Sequence, residues 1–528
     1  MVAIHSPFLK LLMVLLMMPM AQETLLGTGS TALAAPLSES NNSTTPVVNN
    51  PSFDSYLSPS VGLKLPLSSR SEDSKAAVDP WMHVQRHLNH AKRRYAQINQ
   101  LRVPTDDDLH AAMLKRREWV ENEWLPLQRR NMDTSDEEVS TSLSHHLAQA
   151  PGKMMGMVRR TGSGSYLQGR SSGYPQADAK AANQHSVTSA GDVSTSHTSG
   201  LSIEANDIGY FVQVQVGSNN DNYKMLVDSG SADTWITGSS CSNCGGSSRN
   251  KLSTSNSNSL SVDNSEQYKI SYGTGSVTVN KATDSMTIAG MQLDNFNFGV
   301  ASKETSQFGG SNIPFDGLLG LGGSSLSTTK MTTPIQALYN NNKVSNPIVG
   351  YRLGRVADGD NKGQITFGAV DESQVSGSLH EFDNQSQNGY WEITLDSVQV
   401  GSKKVVSSSS SATLDTGTSL IVAPESAANA IHNAISGAKS DGQGGYTLPC
   451  TSNVQLSFTF SGQTFTMDSR DLLFSASDSS NLQGTCVSAV SSGDSGNGGW
   501  LLGASFLKNV YFATNAKTNQ VALGKLND

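Results

Sequence analysis

Positive charge and long apolar runs are both scarce in this chain of 528 residues. Charged residues make up 16% of the sequence, and the formal net charge is −8. From residue 200 onward, 18 lysines and arginines stand against 27 acidic residues, which argues against nucleic acid as a partner. The apolar run at 11–20 is too short to cross a bilayer, and the chain ends without an apolar tail. The sequence therefore favours neither nucleic-acid binding nor a membrane span.

Cysteine and histidine are also scarce where a metal would need them. The four cysteines are Cys241, Cys244, Cys450 and Cys486, and only His380 and His432 follow residue 199. A close Cys-x-x-Cys pair can be half of a zinc site or a redox motif, but no second pair accompanies it. We therefore expect no metal and no cofactor. In a secreted chain these cysteines predict two disulfides, one closing a very short loop and one a longer loop.

The N-terminus is typical of a secreted protein. The apolar run follows a short segment with one lysine, which predicts a signal peptide over 1–21, although cleavage after Ala34 fits as well. Residues 36–78 are rich in Ser, Asn and Pro and carry overlapping glycosylation sequons at Asn41 and Asn42, with a further candidate at Asn384. We expect an extracellular glycoprotein.

A basic segment with helical periodicity comes next. Apolar spacings of three and four predict helices over 81–101 and 107–127. Between 83 and 130 the chain has ten Lys and Arg against six Asp and Glu, with four histidines. A basic helical face is most often simply exposed to solvent. Ahead of an acidic domain it is better interpreted as part of a propeptide over 22–199, which covers the domain at neutral pH and leaves when acid protonates the carboxylates that hold it.

Ser-rich and Gly-rich sequence then forms a predicted linker over 131–199. The dibasic pairs Arg129-Arg130 and Arg159-Arg160 are candidates for processing, and we expect the mature chain to begin between about Thr161 and Ser202. From Gly209 the composition changes to short alternating runs separated by Gly, Ser and Asn, which predict a mostly β enzyme. Helical signals remain at 333–340 and 424–435.

Two apolar runs each end on an aspartate. Residues 225–227 lead into Asp228, and residues 412–414 lead into Asp415, 187 positions later. After each aspartate come a hydroxyl residue, a glycine and a second hydroxyl residue: Ser229, Gly230 and Ser231 in one copy, Thr416, Gly417 and Thr418 in the other. One copy is ordinary turn chemistry. Two copies suggest that the carboxylates meet across an interface.

A second landmark repeats at a similar distance from each aspartate. Leu318-Leu319-Gly320 follows the first motif, and Leu501-Leu502-Gly503 follows the second. This is a repeat of a whole lobe. We expect two catalytic lobes, 200–378 and 379–528, related by a pseudo-two-fold axis.

These motifs together resemble the pepsin-type aspartic proteases, family A1, and the overall look is most similar to secreted fungal members. Residues 270–276 resemble the flap hairpin of that family, and 315–322, 390–396 and 500–503 match further motifs in the expected order. Two positions depart from the usual pattern: Ser229 stands where the family usually has Thr, and Ala504 where it usually has Asp. Neither change touches a carboxylate.

The resemblance implies a bilobal acid protease fold and an aspartic endopeptidase made as a zymogen. Asp228 and Asp415 would share a proton and activate a water molecule, and the flap would comprise Tyr272, Gly273 and Thr274 with Trp235 nearby. Ser229 and Thr416 would lock the two turns, Gly230 and Gly417 would let them approach, and Ser231 and Thr418 would bond the outer carboxylate oxygens. The expected partners of this monomer are protein or peptide substrates and its own propeptide. The resemblance also supports the pairing of the cysteines.

Two other interpretations were weighed. Gly493-Asp494-Ser495-Gly496 resembles the serine motif of chymotrypsin-like proteases, but Asn497 breaks the continuation and no histidine sits in a recognisable base motif, so a Gly/Ser loop is the better interpretation. The alternative from another class is a catalytically silent pepsin-fold binding or inhibitor protein. Such proteins typically lose part of the Asp-hydroxyl-Gly constellation, whereas this chain keeps both copies and the flap tyrosine.

Overall fold

The computed structural model describes residues 72–126, 173–245, 249–273, 275–305, 308, 313–493 and 498–527, with side chains from residue 81 onward. The predicted signal peptide, both dibasic pairs, Asn41, Asn42 and Thr274 lie outside these residues. So does most of the Gly493–Gly496 loop.

Two long helices come first among the described residues. Helix α1 spans Glu72–Ile98, and α2 spans Asp106–Trp119 and continues as a π-helical turn over Val120–Trp124. The side chain of Thr105 accepts a hydrogen bond from the backbone of Asp108, whose carboxylate accepts one from the Thr105 backbone in return. Three aspartates in the first turn also suit the positive end of the helix dipole. This capping box explains why α2 begins one residue before the predicted boundary.

One stripe of α1 is buried. Its members recur at spacings of three and four, as predicted, and are Trp81, Val84, Leu88, Ala91, Tyr95 and Ile98. They pack with Val120 and Trp124 and with residues of the second lobe, including Leu420, Val422 and Leu501. The apolar periodicity of this segment therefore seats the helix on the β domain.

The other helices are short. They are α3 at Gln176–Gln184, α4 at Pro334–Asn340, α5 at Glu425–Asn433 and α6 at Ala504–Leu507, with 3-10 turns at Ser324–Leu326, Val356–Asp358, Glu372–Gln374 and Ser469–Leu472. Helices α4 and α5 fall within the two predicted helical segments. Each has a proline at or just before its first residue, where the missing N–H costs nothing.

A nine-stranded sheet forms the first lobe. Its strands, in spatial order, are Val187–Thr188, Ser202–Glu204, Gly209–Val216, Asp221–Asp228, Gly317–Gly320, Trp235–Ser242, Met291–Glu304, Ser276–Ile288 and Ser261–Ser271. The alternation predicted after Gly209 is clear at the end of the third strand, where Gln213 and Gln215 are exposed between buried valines.

A six-stranded sheet joins distant parts of the chain. Its strands, in spatial order, are Val375–Asp383, Gln520–Leu526, Val510–Asn515, Ile348–Arg352, Gln364–Phe367 and Thr198–Gly200. The last two strands of the chain thus pair with Val375–Asp383, which spans the predicted boundary at 378, and with Ile348–Arg352, which precedes it. The two lobes share this sheet.

Three smaller sheets complete the second lobe. The five-stranded sheet has, in spatial order, Glu392–Leu395, Ser410–Leu414, Trp500–Leu502, Ile421–Ala423 and Val490–Ser492. One four-stranded sheet has Lys403–Val406, Ser397–Val400, Leu456–Phe460 and Gln463–Thr466, and the other has Lys439–Ser440, Tyr446–Pro449, Thr485–Ser488 and Leu473–Ala476. The prediction of a mostly β fold is confirmed.

The same strand arrangement surrounds both aspartates. The strand that ends at Asp228 pairs in parallel with Gly317–Gly320, which pairs antiparallel with Trp235–Ser242. The strand before Asp415 pairs in parallel with Trp500–Leu502, which pairs antiparallel with Ile421–Ala423. The Leu-Leu-Gly landmarks are therefore the strands that flank each aspartate strand, which is the structural basis of the sequence repeat.

Candidate active site

The first aspartate lies buried at the end of its strand. Asp228 is 4% exposed. Its Oδ1 accepts a hydrogen bond from the Gly230 backbone N–H at 2.9 Å, and its Oδ2 accepts one from Ser231 Oγ at 2.5 Å. The carboxylate is thus held by the turn that follows it.

The second aspartate has the same surroundings. Asp415 has no exposed surface. Its Oδ1 accepts from the Gly417 backbone N–H at 2.9 Å, and its Oδ2 accepts from Thr418 Oγ1 at 2.8 Å. The two turns therefore present their carboxylates in equivalent ways.

Reciprocal hydrogen bonds join the turns. The backbone N–H of Ser229 donates to Thr416 Oγ1, and the backbone N–H of Thr416 donates to Ser229 Oγ, each at 3.0 Å. Each hydroxyl in turn donates across the interface, Ser229 Oγ to Leu414 O at 3.2 Å and Thr416 Oγ1 to Val227 O at 2.9 Å. All four polar groups are satisfied, so serine performs the bonding that a threonine would.

Glycine is needed in both turns because the opposite carboxylate lies against them. A Cβ atom on Gly230 would come within 2.6 Å of Asp415 Oδ1, and one on Gly417 would overlap Asp228 Oδ1. No side chain fits at either position. The close approach of the two carboxylates depends on these glycines.

A hairpin lies over the site. It is formed by Ser261–Ser271 and Ser276–Ile288, and Tyr272 follows the first of these strands. Tyr272 is buried, and its hydroxyl oxygen accepts a hydrogen bond from Trp235 Nε1 at 2.8 Å. Both rings contact Phe308 edge-on. The structure therefore brings together Tyr272, Gly273 and Trp235 from the predicted flap set.

Arg94 of α1 reaches both carboxylates. Its Nε donates to Asp415 Oδ2 and its Nη2 donates to Asp228 Oδ1, each at 3.1 Å. The guanidinium lies 5.9 Å from the centre of the Tyr390 ring. Only 6% of the Arg94 side chain is exposed, so both ion pairs are shielded from water. One cation from the N-terminal segment thus bridges the two aspartates.

The two carboxyl groups differ in acidity. Burial raises the pKa of Asp228 to about 6, and the neighbouring Asp415 adds to this effect while Arg94 opposes it. Burial also acts to raise the pKa of Asp415, but Arg94 and the Thr418 hydroxyl outweigh it, so its pKa lies below the ordinary value. The pair therefore holds one readily protonated and one strongly acidic group.

Comparison with known proteins fits this geometry. The model of the eukaryotic aspartyl protease family matches residues 209–526. The chain belongs to this family. It is 33% identical over 331 residues to a probable aspartic-type endopeptidase of Arthroderma benhamiae, covering 62% of this chain and 63% of that relative. The chain thus spans less than two thirds of the length of that relative.

Two further fungal members of the aspartyl protease family align over the same part of the chain. Rhizopuspepsin-4 of Rhizopus niveus is 32% identical over 329 residues, which cover 62% of this chain and 79% of the relative. An aspartic-type endopeptidase of Aspergillus fumigatus is 31% identical over 330 residues, which cover 62% and 68%. The predicted resemblance to the pepsin-type family is confirmed.

Sequence reasoning did not single out Arg94, although a signal for it exists. His83, His87, His90 and Arg94 recur at spacings of four, three and four, so they form one basic stripe beside the apolar stripe of α1. A basic stripe that borders a buried face is a better candidate for an interface than a basic residue on the far side of the helix. When residues 83–130 are treated as one basic segment, the basic residues beside the buried face are not distinguished from those on the far side of the helix.

The cysteines pair as predicted. Cys241 is bonded to Cys244, and Cys450 to Cys486, with Cα–Cα distances of 5.7 and 4.9 Å. Among the described residues, the first pair and Glu304 form a group spaced closely enough for a metal ion. The sulfur atoms of the two cysteines are bonded to each other in the disulfide and offer no thiolate, so this group does not fit a metal ion.

The Asn384 sequon lies in a tight polar contact. Asn384 is 8% exposed, and its Nδ2 donates to Asn519 Oδ1 at 3.0 Å. Its Oδ1 accepts from the backbone N–H groups of Ser386 and Glu392. A glycan on Asn384 would displace the Asn519 contact, so the folded chain offers little room for one. Its glycosylation stays a prediction.

The interlock yields a stability prediction. We expect Ser229→Ala to lower the free energy of unfolding by about 1–3 kcal/mol, because the buried N–H of Thr416 and the carbonyl of Leu414 lose their partner. Chemical denaturation of the full chain measures this. Ser229→Thr is the matched control, since it keeps the hydroxyl. Equal destabilisation by both variants would contradict a role for the hydroxyl.

Proposed function

We propose that this protein is an aspartic endopeptidase that hydrolyses peptide bonds at acid pH and is made as an inactive precursor. The observation that carries the proposal is the pair of buried carboxylates, Asp228 and Asp415, presented by interlocked turns and both within hydrogen-bond distance of one guanidinium. A relative named as an endopeptidase and the two fungal enzymes that align with the same region support it.

The chemistry needs one group that takes a proton and one that gives it. Two carboxyl groups this close do not readily ionise together, so one proton is shared between them, the arrangement known for aspartic proteases. The ionised carboxylate takes a proton from water as that water attacks the peptide carbonyl carbon. The protonated carboxyl gives its proton to the carbonyl oxygen, which produces a tetrahedral gem-diol. The carboxyl that took the proton from water then gives it to the amide nitrogen, and a hydroxyl of the intermediate returns a proton to the other carboxylate as the C–N bond breaks and the amine leaves.

The remaining site residues prepare the pair for this work. Ser231 and Thr418 each donate to one carboxylate, which orients the oxygens. The flap would cover an extended peptide, with the backbone around Gly273 and Thr274 bonding its main chain. The proposed substrates are proteins or peptides, and the proposed enzyme is a monomer.

We predict that Asp228→Asn and Asp415→Asn each lower the hydrolysis rate by at least about 100-fold, because either change removes half of an acid–base pair while adding no bulk. Cleavage of casein or haemoglobin at acid pH measures the loss, after each variant has been processed in trans by immobilised unaltered enzyme that is then removed. Asp294→Asn, at an exposed position on a strand of the first lobe, is the matched control and should keep full activity.

The result that opposes the dyad is activity surviving in both active-site variants. The rival function, a silent pepsin-fold binding protein, predicts no cleavage even by the unaltered chain. A statine-type inhibitor serves as the control for contaminating proteases of other classes, because it blocks only cleavage by an aspartic protease.

Helices α1 and α2 are proposed as the propeptide. While Arg94 bridges the two carboxylates, they cannot share a proton or activate water, so the bridged arrangement is inactive. Further contacts hold the helices on the second lobe: Lys92 Nζ donates to Gln443 O at 2.7 Å, and Arg116 forms a fully buried ion pair with Asp441 at 2.7 Å. The apolar stripe of α1 adds hydrophobic burial.

We predict that Arg94→Ala weakens latency. Without the guanidinium the two buried carboxylates lose their shared counter-charge. Docking of the helix still removes water from these carboxylates, and no ion pair then offsets that cost. The full-length variant should cleave substrate at pH 6 without acid pretreatment, at least about tenfold faster than the unaltered precursor. Arg102→Ala, which removes an exposed arginine paired with Asp108, is the matched control. Full latency of the Arg94 variant would argue against this blockade.

Residues 173–188 are attached to the catalytic body. The backbone N–H of Tyr174 donates to Leu482 O at 2.7 Å, and its hydroxyl donates to Phe474 O at 3.0 Å. Val187–Thr188 then adds a strand to the nine-stranded sheet. This integration supports a mature chain that keeps the segment.

Acid should strengthen that attachment. Asp178 lies on α3 near Asp207, Asp471 and Lys508, and burial, with Asp207 next in effect, raises its pKa to about 7. A raised pKa favours the attached state when the group is protonated, so the attachment is stronger below pH 7. The segment should therefore remain bound under conditions that remove the propeptide.

We predict that acid-processed enzyme begins before Tyr174, within the earlier part of the expected 161–202 window. N-terminal sequencing together with the intact mass of the active species tests this directly. An active species that begins after Thr188 would contradict it. Wild-type precursor held at pH 7.5 is the control for cleavage by other proteases.

Export to an oxidising extracellular compartment is proposed as well. The predicted signal peptide and the two disulfides support it. Among the described residues, none of the helices is both long and apolar enough to cross a bilayer.

A further inference from the structure

Three histidines of α1 form a stripe that faces the catalytic body. His83, His87 and His90 occupy successive turns of one helical face, and Arg94 continues the same stripe. The rings of His83 and His87 are 4.7 Å apart between centroids. Imidazole groups this close repel each other once both are protonated.

Basic groups surround the first two histidines. His83 faces Arg86, His87 and, across the interface, His185, which directly follows α3 and whose ring lies 6.1 Å away. His87 packs against the Phe474 ring at 5.4 Å and places Nδ1 3.2 Å from Ser419 Oγ. The charged or titratable groups facing His87 are His83, His90 and Arg86. Within the part of the chain that the structure describes, neither ring has a carboxylate among these neighbours.

His90 lies beside the aspartate pair, under the flap. Its Nε2 is 3.5 Å from Thr418 Oγ1, and a Cβ atom on Gly273 would touch its carbonyl oxygen. Arg94 and Arg93 oppose a positive charge on this ring, whereas Asp415 and a backbone contact to Gly417 favour one. His90 Nδ1, like His83 Nε2, is buried without a hydrogen-bond partner. Protonation at either nitrogen would create a buried N–H with nothing to accept it.

We propose that His83, His87 and His90 form an acid-sensitive latch, which holds α1 on the catalytic body while neutral and releases it when protonated. The latch rests on the proposal that α1 is a propeptide, and it specifies how that propeptide is removed. The released rings gain water as a hydrogen-bond partner, and their mutual repulsion ends.

The direction of the pH effect follows from the burial. Desolvation by burial lowers the pKa of His83 and of His90 to about 4 and that of His87 well below its ordinary value. A pKa that is lower in the docked state means that docking weakens as the pH falls below the free value of about 6.5. For each of His83 and His90 the release equilibrium should grow by about 100-fold between pH 7 and pH 4.

The carboxylates of the site also favour release in acid. Burial acts to raise the pKa of Asp415 and of Asp228, and Arg94 opposes this effect in the docked state. Release removes Arg94 while both aspartates keep their turns, so protonation of either carboxylate opposes docking. The histidines add a response that begins near their free value of about 6.5, alongside the expected protonation of the carboxylates.

Hydrogen exchange of the α1 backbone tests the latch without using proteolysis. The full-length chain carries Asp228→Asn, which prevents self-cleavage and imitates the protonated carboxyl while keeping an acceptor oxygen. Exchange is followed from pH 7.5 to 4 and corrected for the intrinsic rate. The logarithm of the opening constant should rise by more than one unit per pH unit, because more than one proton is taken up.

Glutamine variants identify the groups responsible. His83→Gln and His87→Gln, made in the same background, should lower the slope by up to about one proton each and keep α1 protected to a lower pH. His110→Gln on α2 is the matched control and should behave as the parent does. In the chain with Asp228 intact, the same variants should shift self-processing to a lower pH.

The latch is overturned by a parent slope of one proton or less, or by glutamine variants that open at the same pH as the parent. If a variant fails to protect α1 even at pH 7.5, the ring titrations decide the matter, measured by NMR with labelled histidine in the parent. Rings that titrate near 6.5 while α1 stays protected exclude the latch. Loss of all proteolysis would sink the proposed enzyme but leave these readouts intact.

Discussion

The two ion pairs of Arg94 are the contacts on which the described state depends. Two carboxylates that are nearly free of solvent and face each other need either a proton or a cation between them. The N-terminal helix supplies the cation, and catalysis would use the proton. For the same electrostatic reason, we expect the site to be reactive when the helix is absent and to bind an arginine when the helix is present.

Precise placement of the carboxylates comes from the backbone. Each aspartate ends a strand that is flanked by a Leu-Leu-Gly strand, and each turn lends its hydroxyl to the backbone of the other. Because both hydroxyls are donor and acceptor at once, neither turn can shift without breaking bonds in both lobes. Ser229 shows that the hydroxyl is what this interlock requires, since the methyl group of a threonine is dispensable for the bonding.

Sequence reasoning succeeded where the signal was local and repeated. The turns around Asp228 and Asp415, the apolar stripe of α1 and the short helices α4 and α5 all follow from patterns within a few residues. The linker predicted over 131–199 was wrong for its last part, where α3 forms at Gln176–Gln184. Arg94 was missed because ten basic residues share its segment, and only the three-dimensional pairing tells them apart. The attachment of Tyr174 was missed for a related reason: its partners, Leu482 and Phe474, lie about 300 residues further along the chain.

As the proposed propeptide, helix α1 has to bind tightly at neutral pH and leave in acid, and its two stripes would divide these tasks. The burial of Trp81, Leu88 and Tyr95 contributes a free energy that hardly varies with pH, because none of these groups gains or loses a proton in the acid range. The buried Arg116–Asp441 pair adds a second electrostatic anchor beyond the active site. We assign the pH dependence to the second stripe, where imidazoles lie one turn apart and Arg94 binds the active-site carboxylates. A helix with only the apolar stripe would stay in the cleft at any pH, and one with only the basic stripe would not enter it.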